Sequence, residues 1–338
     1  MSNSPLILGT RGSDLALTQA RMTRDALAKH DIDCEIKVIK TVGDKRPDLK
    51  LSEFSEKVDG VHDKGIFTKE LEEALLAGEI DFAVHSLKDV PTELGEPFEI
   101  CATLERAPIE DVILTTQQGI VEHLAGYDQG VYRVQSGTVQ GTVHPFSGRT
   151  IATSSVRRAA QLKWVFPGVN IEDIRGNVPT RIQKLIENPD WDAIVLARAG
   201  IQRLGFYDPE VPAIDFEGTP VFTYEMPTSL FPPAASQGAV AMEVLRKNER
   251  AIESLSRINH APTFAQITAE RSFLAALKAG CQTPVGISTE FSGDGETMII
   301  DTVVFSEENL DAAPQKAKIS IPTCDASQAG TELLKALV

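Results

Sequence analysis

Two stretches of this chain place hydroxyls, backbone amides and arginines where a helix follows a strand: Arg11-Gly12-Ser13 and Ser154-Ser155-Val156-Arg157-Arg158. Unpaired N–H groups and the helix dipole favour an anion at such an end. Arginine adds a planar fork of donors matched to carboxylates. One such stretch would read as a capped helix with solvated arginines. Two of them, with Arg175-Gly176-Asn177 and Arg181, point to a shared anionic ligand.

His85-Ser86-Leu87-Lys88-Asp89-Val90-Pro91 is the second signal. It follows Phe82-Ala83-Val84, an apolar run that reads as a buried strand, and pocket residues of α/β sheets gather at strand C-terminal ends. Facing a cleft, Asp89 would stabilise a cation and relay a proton. On an open surface, Lys88 and Asp89 would be an ion pair of little worth. His85 reads as a structural, hydrogen-bonded residue. Cys281 stands just past a helix C-terminus, where the dipole disfavours a thiolate, and no histidine base is near it in sequence. A thiol that reacts once and then stays as a thioether tether needs no unusual acidity. Position alone does not choose between that and an inert core cysteine.

These residues require strands and helices to hold them. Leu6–Thr10 reads as a strand, and Ser13 as the N-cap of a helix running through Lys29 with Leu15, Leu17, Ala20, Met22 and Leu27 on helical spacing. Ile36–Thr41 reads as a strand and Thr68–Gly78 as a helix, before the strand at Phe82. The pattern then repeats: strand at Thr150–Thr153, polar turn at Ser154-Ser155, helix over Arg157–Val165, strand at Ala193–Leu196 and short helix at Ala199–Leu204. Pro262-Thr263 opens a helix in which Thr263 and Gln266 fit a capping box. Alternating runs at Met298–Phe305 and Ala317–Ile321 suggest a small sheet, with a closing helix from Ala326. Strand–helix alternation of this kind predicts an α/β fold. Two similar lobes with a cleft between them resemble the type II periplasmic-binding-protein architecture, with a mixed sheet in each lobe and a small C-terminal α/β domain after them. The expected borders are 1–106 with 238–258 for the first lobe, 107–237 for the second and 259–338 for the third domain.

At 338 residues the chain exceeds what one hydrophobic core supports. A net charge of −15 argues against nucleic acid or an anionic membrane as partner. Cys34, Cys101, Cys281 and Cys324 show no paired spacing, so no metal site is expected. Met1–Pro5 has no secretory pattern and no run of eighteen apolar residues occurs, so a cytoplasmic protein with reduced thiols is expected.

Six motifs occur in order: Gly9-Thr10-Arg11-Gly12-Ser13-Asp14-Leu15-Ala16-Leu17, Lys64-Gly65-Ile66-Phe67-Thr68-Lys69-Glu70-Leu71-Glu72, the His85–Pro91 segment, Thr153-Ser154-Ser155-Val156-Arg157-Arg158, Arg175-Gly176-Asn177-Val178-Pro179-Thr180-Arg181 and Gly280-Cys281-Gln282-Thr283-Pro284-Val285-Gly286. In these the chain resembles the hydroxymethylbilane synthase (porphobilinogen deaminase) family over most of Leu6–Gly286. The resemblance implies a monomeric transferase of tetrapyrrole and heme biosynthesis. Its cofactor would be dipyrromethane, in thioether linkage to Cys281. Four porphobilinogen molecules would each lose ammonia through an azafulvene cation and be joined head-to-tail into a growing polypyrrole, which hydrolysis releases as hydroxymethylbilane. Asp89 would be the catalytic acid and cation stabiliser. Lys88, Ser86, Ser155, Arg157 and Arg158 would bind the cofactor, and Arg11, Ser13, Lys64, Arg175 and Arg181 the acetate and propionate groups of substrate and growing chain.

This sequence departs from the family pattern at Pro179 and Ser236, both where glycine is common, and in a longer Lys57–Lys64 stretch that leaves the role of Lys57 open. A further insertion at Tyr127–Arg149 suggests a hairpin through Val131–Val134 and Gly137–Val143. The main alternative is a bilobal carboxylate-binding receptor without catalysis. It accounts for the lobes and arginines but not for Lys88-Asp89 and Cys281 together. A cysteine-nucleophile transferase is disfavoured by the setting of Cys281.

Overall fold

The computed structural model describes residues 4–41, 68–126, 145–211, 213–279, 283–309 and 312–337. The chain opens with β1 (Leu6–Thr10), α1 (Asp14–Ala28), β2 (Cys34–Val38), α2 (Lys69–Leu76), β3 (Phe82–Ser86) and β4 (Phe98–Thr103). Its middle holds β5 (Asp111–Thr115), α3 (Gln118–Gly126), β6 (Thr150–Ala152), α4 (Val156–Val165) and β7 (Asn170–Glu172). These lead into α5 (Val178–Glu187), β8 (Ala193–Ala197), α6 (Arg198–Arg203), β9 (Ala213–Phe216) and β10 (Thr219–Glu225). Last come β11 (Val240–Leu245), α7 (Glu249–Ser256), α8 (Ala261–Ala276), β12 (Val285–Phe291), β13 (Thr297–Val304), β14 (Gln315–Pro322) and α9 (Ala329–Ala336).

The two large sheets repeat one plan. In the first, ordered β2-β1-β3-β11-β4, β1 runs parallel to β2 and β3 while β11 is antiparallel to β3 and β4. In the second, ordered β7-β6-β8-β5-β10-β9, β6 runs parallel to β7 and β8 while β5 is antiparallel to β8 and β10. The antiparallel member beside each parallel set comes from a segment that has just crossed from the other sheet: β5 after 104–110, β11 after 226–239. The fold is α/β with a mixed sheet in each half, as the strand–helix alternation predicts.

Helices cover both faces, so the central strands are buried throughout and alternate which core they feed. Phe82 and Val84 of β3 pack with α1 and α7 through Ala20, Leu27, Ala251 and Leu255, whereas Ala83 turns to Leu71 and Leu75 of α2. In the second sheet, Ile113 and Val195 meet Leu162 and Val165 of α4, whereas Val112, Leu114 and Ile194 meet Ile182 and Leu185 of α5. The third sheet, β12-β13-β14, is antiparallel and packs against α8 and α9 through Phe273, Ile287, Ile300 and Leu333.

α8 also grips both crossing segments. Glu270, fully buried, accepts from Arg106 Nη1 (2.7 Å) and Nη2 (2.9 Å) and from the backbone N–H of Ser236 (2.6 Å). Removing one partner of such a buried pair leaves an uncompensated charge at a cost of about 3–5 kcal/mol. The start of α8 differs from the expected capping box. His260 is the N-cap, its side chain accepting from Thr263 N, so the helix begins three residues earlier, at Ala261. Gln266 donates to Thr289 O (2.8 Å) and the Thr263 hydroxyl accepts from Arg106 N (3.0 Å). Both capping-box side chains are drawn away by tertiary partners. The second strand is likewise Cys34–Val38, not Ile36–Thr41, because it follows the register of β1, and α9 starts at Ala329 behind a 3-10 turn over Thr323–Gln328. The hairpin expected at 131–143 lies outside the described residues.

Ser236 explains why glycine suits its position. It has φ +62 and is buried, and its hydroxyl has no hydrogen-bond partner among the described residues. The left-handed region costs an L-residue roughly 1–2 kcal/mol, and an unmade buried hydrogen bond adds to that. Ser236→Gly is therefore expected to raise stability by about 1 kcal/mol after allowing for the greater freedom of glycine when unfolded. Denaturant unfolding checks this, and a loss of stability would contradict it.

Candidate functional site

β1 and β3 are parallel neighbours, so the loops leaving their C-terminal ends lie side by side. Ser13 caps α1, its Oγ accepting from Ala16 N (3.3 Å). Ser86 exchanges hydrogen bonds with Gln19 of α1, at 2.8 and 3.1 Å. Arg11, Ser13, Gln19, His85, Ser86 and Asp89 line one small cavity of about 80 Å³. Leu87–Asp89 forms a single 3-10 turn whose Leu87 is buried, leaving Lys88 and Asp89 outward at the sheet edge. His85 is buried behind them and pairs through Nε2 with Glu243 Oε2 (2.9 Å) on β11, the structural role expected of it.

The second sheet supplies the opposing cations. Ser155 caps α4 by accepting from Arg158 N (3.4 Å), and the Ser154 hydroxyl is bonded to Ile174 O. Arg157 and Arg158, both buried, converge on Asp111. Arg157 Nη2 donates to Oδ2 (2.7 Å), and Arg158 Nε and Nη2 donate to Oδ1 (3.1 and 2.6 Å). Their remaining bonds run to Pro232 O and Val195 O (both 2.8 Å). Burial alone would raise the Asp111 carboxyl; the two guanidinium groups outweigh it and hold the carboxyl well below the usual carboxylate range. The sequence reading assigns both arginines to a bound anion; within the protein they share the carboxylate of Asp111. Arg175 Nε donates to Asp173 Oδ2 (3.1 Å) and Arg181 Nε to Gly176 O (2.7 Å). Burial and the nearby Arg158 push Arg181 down to about 10, against the pull of Asp89. Asp89 of the first sheet and Arg181 of the second thus lie within electrostatic reach of each other.

Gln237 joins the two sides. Its Oε1 accepts from Lys88 Nζ (3.2 Å), and its Nε2 donates to Asp111 Oδ1 (3.0 Å) and Ile109 O (2.7 Å). Lys88 keeps solvent-accessible surface, yet the protein around it strips water from the ammonium. That desolvation, with Arg158 close by, pushes its pKa down to about 8. Sequence reasoning missed Asp111 and the bridging role of Gln237. A signal for Asp111 was present: it stands directly before the apolar run Val112-Ile113-Leu114. Lys57, Lys64 and Cys281 lie outside the described residues.

Residues 6–253 match the family model described as "Porphobilinogen deaminase, dipyromethane cofactor binding domain", and residues 264–338 match "Porphobilinogen deaminase, C-terminal domain". The chain belongs to the porphobilinogen deaminase family. A porphobilinogen deaminase of Syntrophomonas wolfei is 39% identical, over 98% of this chain and 95% of its own length. One from Trichlorobacter lovleyi is 36% identical, over 100% of this chain and 94% of its own. Among solved structures, the methionine binding protein MetQ aligns over 83% of this chain and 97% of its own, at a TM-score of 0.41 and 11% identity. A likeness that loose adds nothing to the family assignment. No helix among the described residues is long and apolar enough to cross a membrane.

The lowered pKa of Lys88 has a readable consequence. The folded protein gives up this proton near pH 8 and the unfolded chain near the ordinary lysine value of about 10.4, so this residue adds stability as pH rises between the two. Amine acetylation followed by peptide mapping is expected to label Lys88 half-maximally near pH 8 in the ligand-free protein. A bound carboxylate ligand should move that midpoint upward. A midpoint at the ordinary lysine value would contradict the crowding.

Proposed function

We propose that this chain is a hydroxymethylbilane synthase. It deaminates porphobilinogen, joins four molecules head-to-tail on a dipyrromethane primer held as a thioether by Cys281, and releases the linear tetrapyrrole by hydrolysis. The observation that carries the reading is the crowding of cations at the cleft. The pKa values of Lys88 and Arg181 are each lowered by desolvation and by Arg158, although the chain as a whole carries a net charge of −15. Cations held against their own repulsion favour a ligand with several carboxylates. Each pyrrole of this chemistry carries two, an acetate and a propionate. The donor set therefore fits dipyrromethane, with Ser86, Lys88, Ser155, Arg157 and Arg158 holding its carboxylates. When bound, the dipyrromethane supplies the free pyrrole α-carbon at which new links are made.

The chain's own residues do the rest. Arg11, Ser13, Arg175 and Arg181, with Lys64, bind and orient the carboxylates of substrate and growing product. Asp89 protonates the departing amine, which leaves as ammonia. Its carboxylate then balances the cation left on the substrate and takes back the proton released when the pyrrole regains aromaticity. Neutral Gln237 links Lys88 to Asp111 without adding charge to the cleft. We assign 1–106 with 238–258 to the lobe carrying Asp89, 107–237 to the arginine-rich lobe and 259–338 to the domain carrying Cys281. On this reading the protein acts as a cytoplasmic monomer, as the family resemblance implies.

Asp89→Ala tests the assignment. Ammonia release from porphobilinogen should fall by about 100-fold or more, the usual worth of general acid catalysis, while circular dichroism stays unchanged. A variant that keeps most of its turnover would refute the role of Asp89.

A further inference from the structure

The turn that carries Lys88 and Asp89 is short, and much of its support comes from outside its own sheet. Within the turn, Val90 N donates to Leu87 O (3.1 Å); from the crossing segment, Ala239 O accepts from Leu87 N (3.1 Å). Below it lies α8. Ile267 packs with Leu87 and Val90, with Phe264 against the same cluster. One helical turn further along the same face, Arg271 donates to three consecutive carbonyls: Val90 O from Nη1 (3.3 Å), and Pro91 O (2.6 Å) and Thr92 O (2.9 Å) from Nη2. These are the residues immediately after Asp89. The preceding residue of α8, Glu270, holds the two crossing segments through Arg106 and Ser236. Ten residues after Arg271 stands Cys281. One helix therefore grips the turn, grips the crossings and precedes the cysteine in sequence.

We propose that Arg271 is a positioning residue for the reaction. From α8 it fixes the turn bearing Asp89 on that helix, so that the carboxylate stays aimed at the reacting centre. The inference rests on the reading above, in which Cys281 carries the primer and Asp89 acts on the substrate. Arg271 makes no ligand contact in this account; it works through Val90, Pro91 and Thr92. A guanidinium suits the task because its rigid fan of donors can serve three carbonyls at once, where the ammonium of lysine offers a single nitrogen. Burial pushes Arg271 down to about 10, against the pull of Glu243, so it stays charged through the neutral range.

The test compares wild type, Arg271→Ala and Arg271→Lys by intact mass, by steady-state kinetics with porphobilinogen and by chemical rescue. Arg271→Ala should load Cys281 fully and keep KM within about twofold. Its kcat should fall by about tenfold or more, since small misplacement of a reacting group is costly. Millimolar guanidinium should restore part of kcat, and tetramethylammonium at equal ionic strength should not. Arg271→Lys should load fully and turn over at an intermediate rate, and it carries the test alone if the alanine variant does not fold. Fully loaded variants with wild-type kcat would overturn the role of Arg271 and leave the proposed function standing. A loss that guanidinium does not relieve, or one lying in KM, would also overturn it. A wild-type protein that never loads Cys281 would remove the proposed function and this inference together.

Discussion

A carboxylate with no solvent exposure must be surrounded by donors or it will not stay ionised. Asp111 meets that condition with two arginines and a glutamine, and much of the cleft is arranged around how it does so. Arg157 and Arg158 are adjacent on the first turn of α4, where the helix dipole is least tolerant of cations. Left alone they would repel one another and their surroundings. With one oxygen of Asp111 on each, they become a fixed cationic wall that holds its geometry before any ligand arrives. Preorganisation of this kind lets a site bind charge without first reorganising.

The position of Asp111 follows from strand direction. β5 runs against β8, so its first residue stands opposite Ala197, the last residue of β8. An antiparallel strand thus brings its entry point to the edge where the parallel strands end. The same holds in the first sheet, where Val240, the first residue of β11, pairs with Ser86 at the end of β3. Exchanging these two strands delivers both crossing segments to the cleft, which is how Gln237 reaches Lys88 on one side and Asp111 on the other. α8 ties those crossings to the third sheet through Glu270. The two large sheets and α8 are consequently joined by polar contacts beside the turn that carries Lys88 and Asp89.

Local chemistry in this chain was legible before any coordinates. The cap at Ser13, the buried strand before His85 and the helix after Ser155 each depend on neighbours a few residues away. The six ordered motifs identified the family. What stayed hidden depends on partners distant in sequence. Asp111 and Arg158 are 47 positions apart, and Arg106 and Glu270 are 164 apart, so no periodicity reveals them. The capping box at Thr263 had the right local spelling but lost to Arg106 and Thr289. Ser236 showed only as a missing glycine; its positive φ gives that departure a physical meaning.

The central claim is that the arginine-walled cleft serves a polypyrrole anchored to Cys281. The denatured intact mass of the purified protein, beside that of Cys281→Ala, tests it most directly. The account predicts a covalent increment of two linked pyrroles on the wild-type chain, present on isolation or after incubation with porphobilinogen, and none on the variant. A wild-type chain that stays unmodified in excess porphobilinogen, or an increment that survives the loss of Cys281, would contradict it.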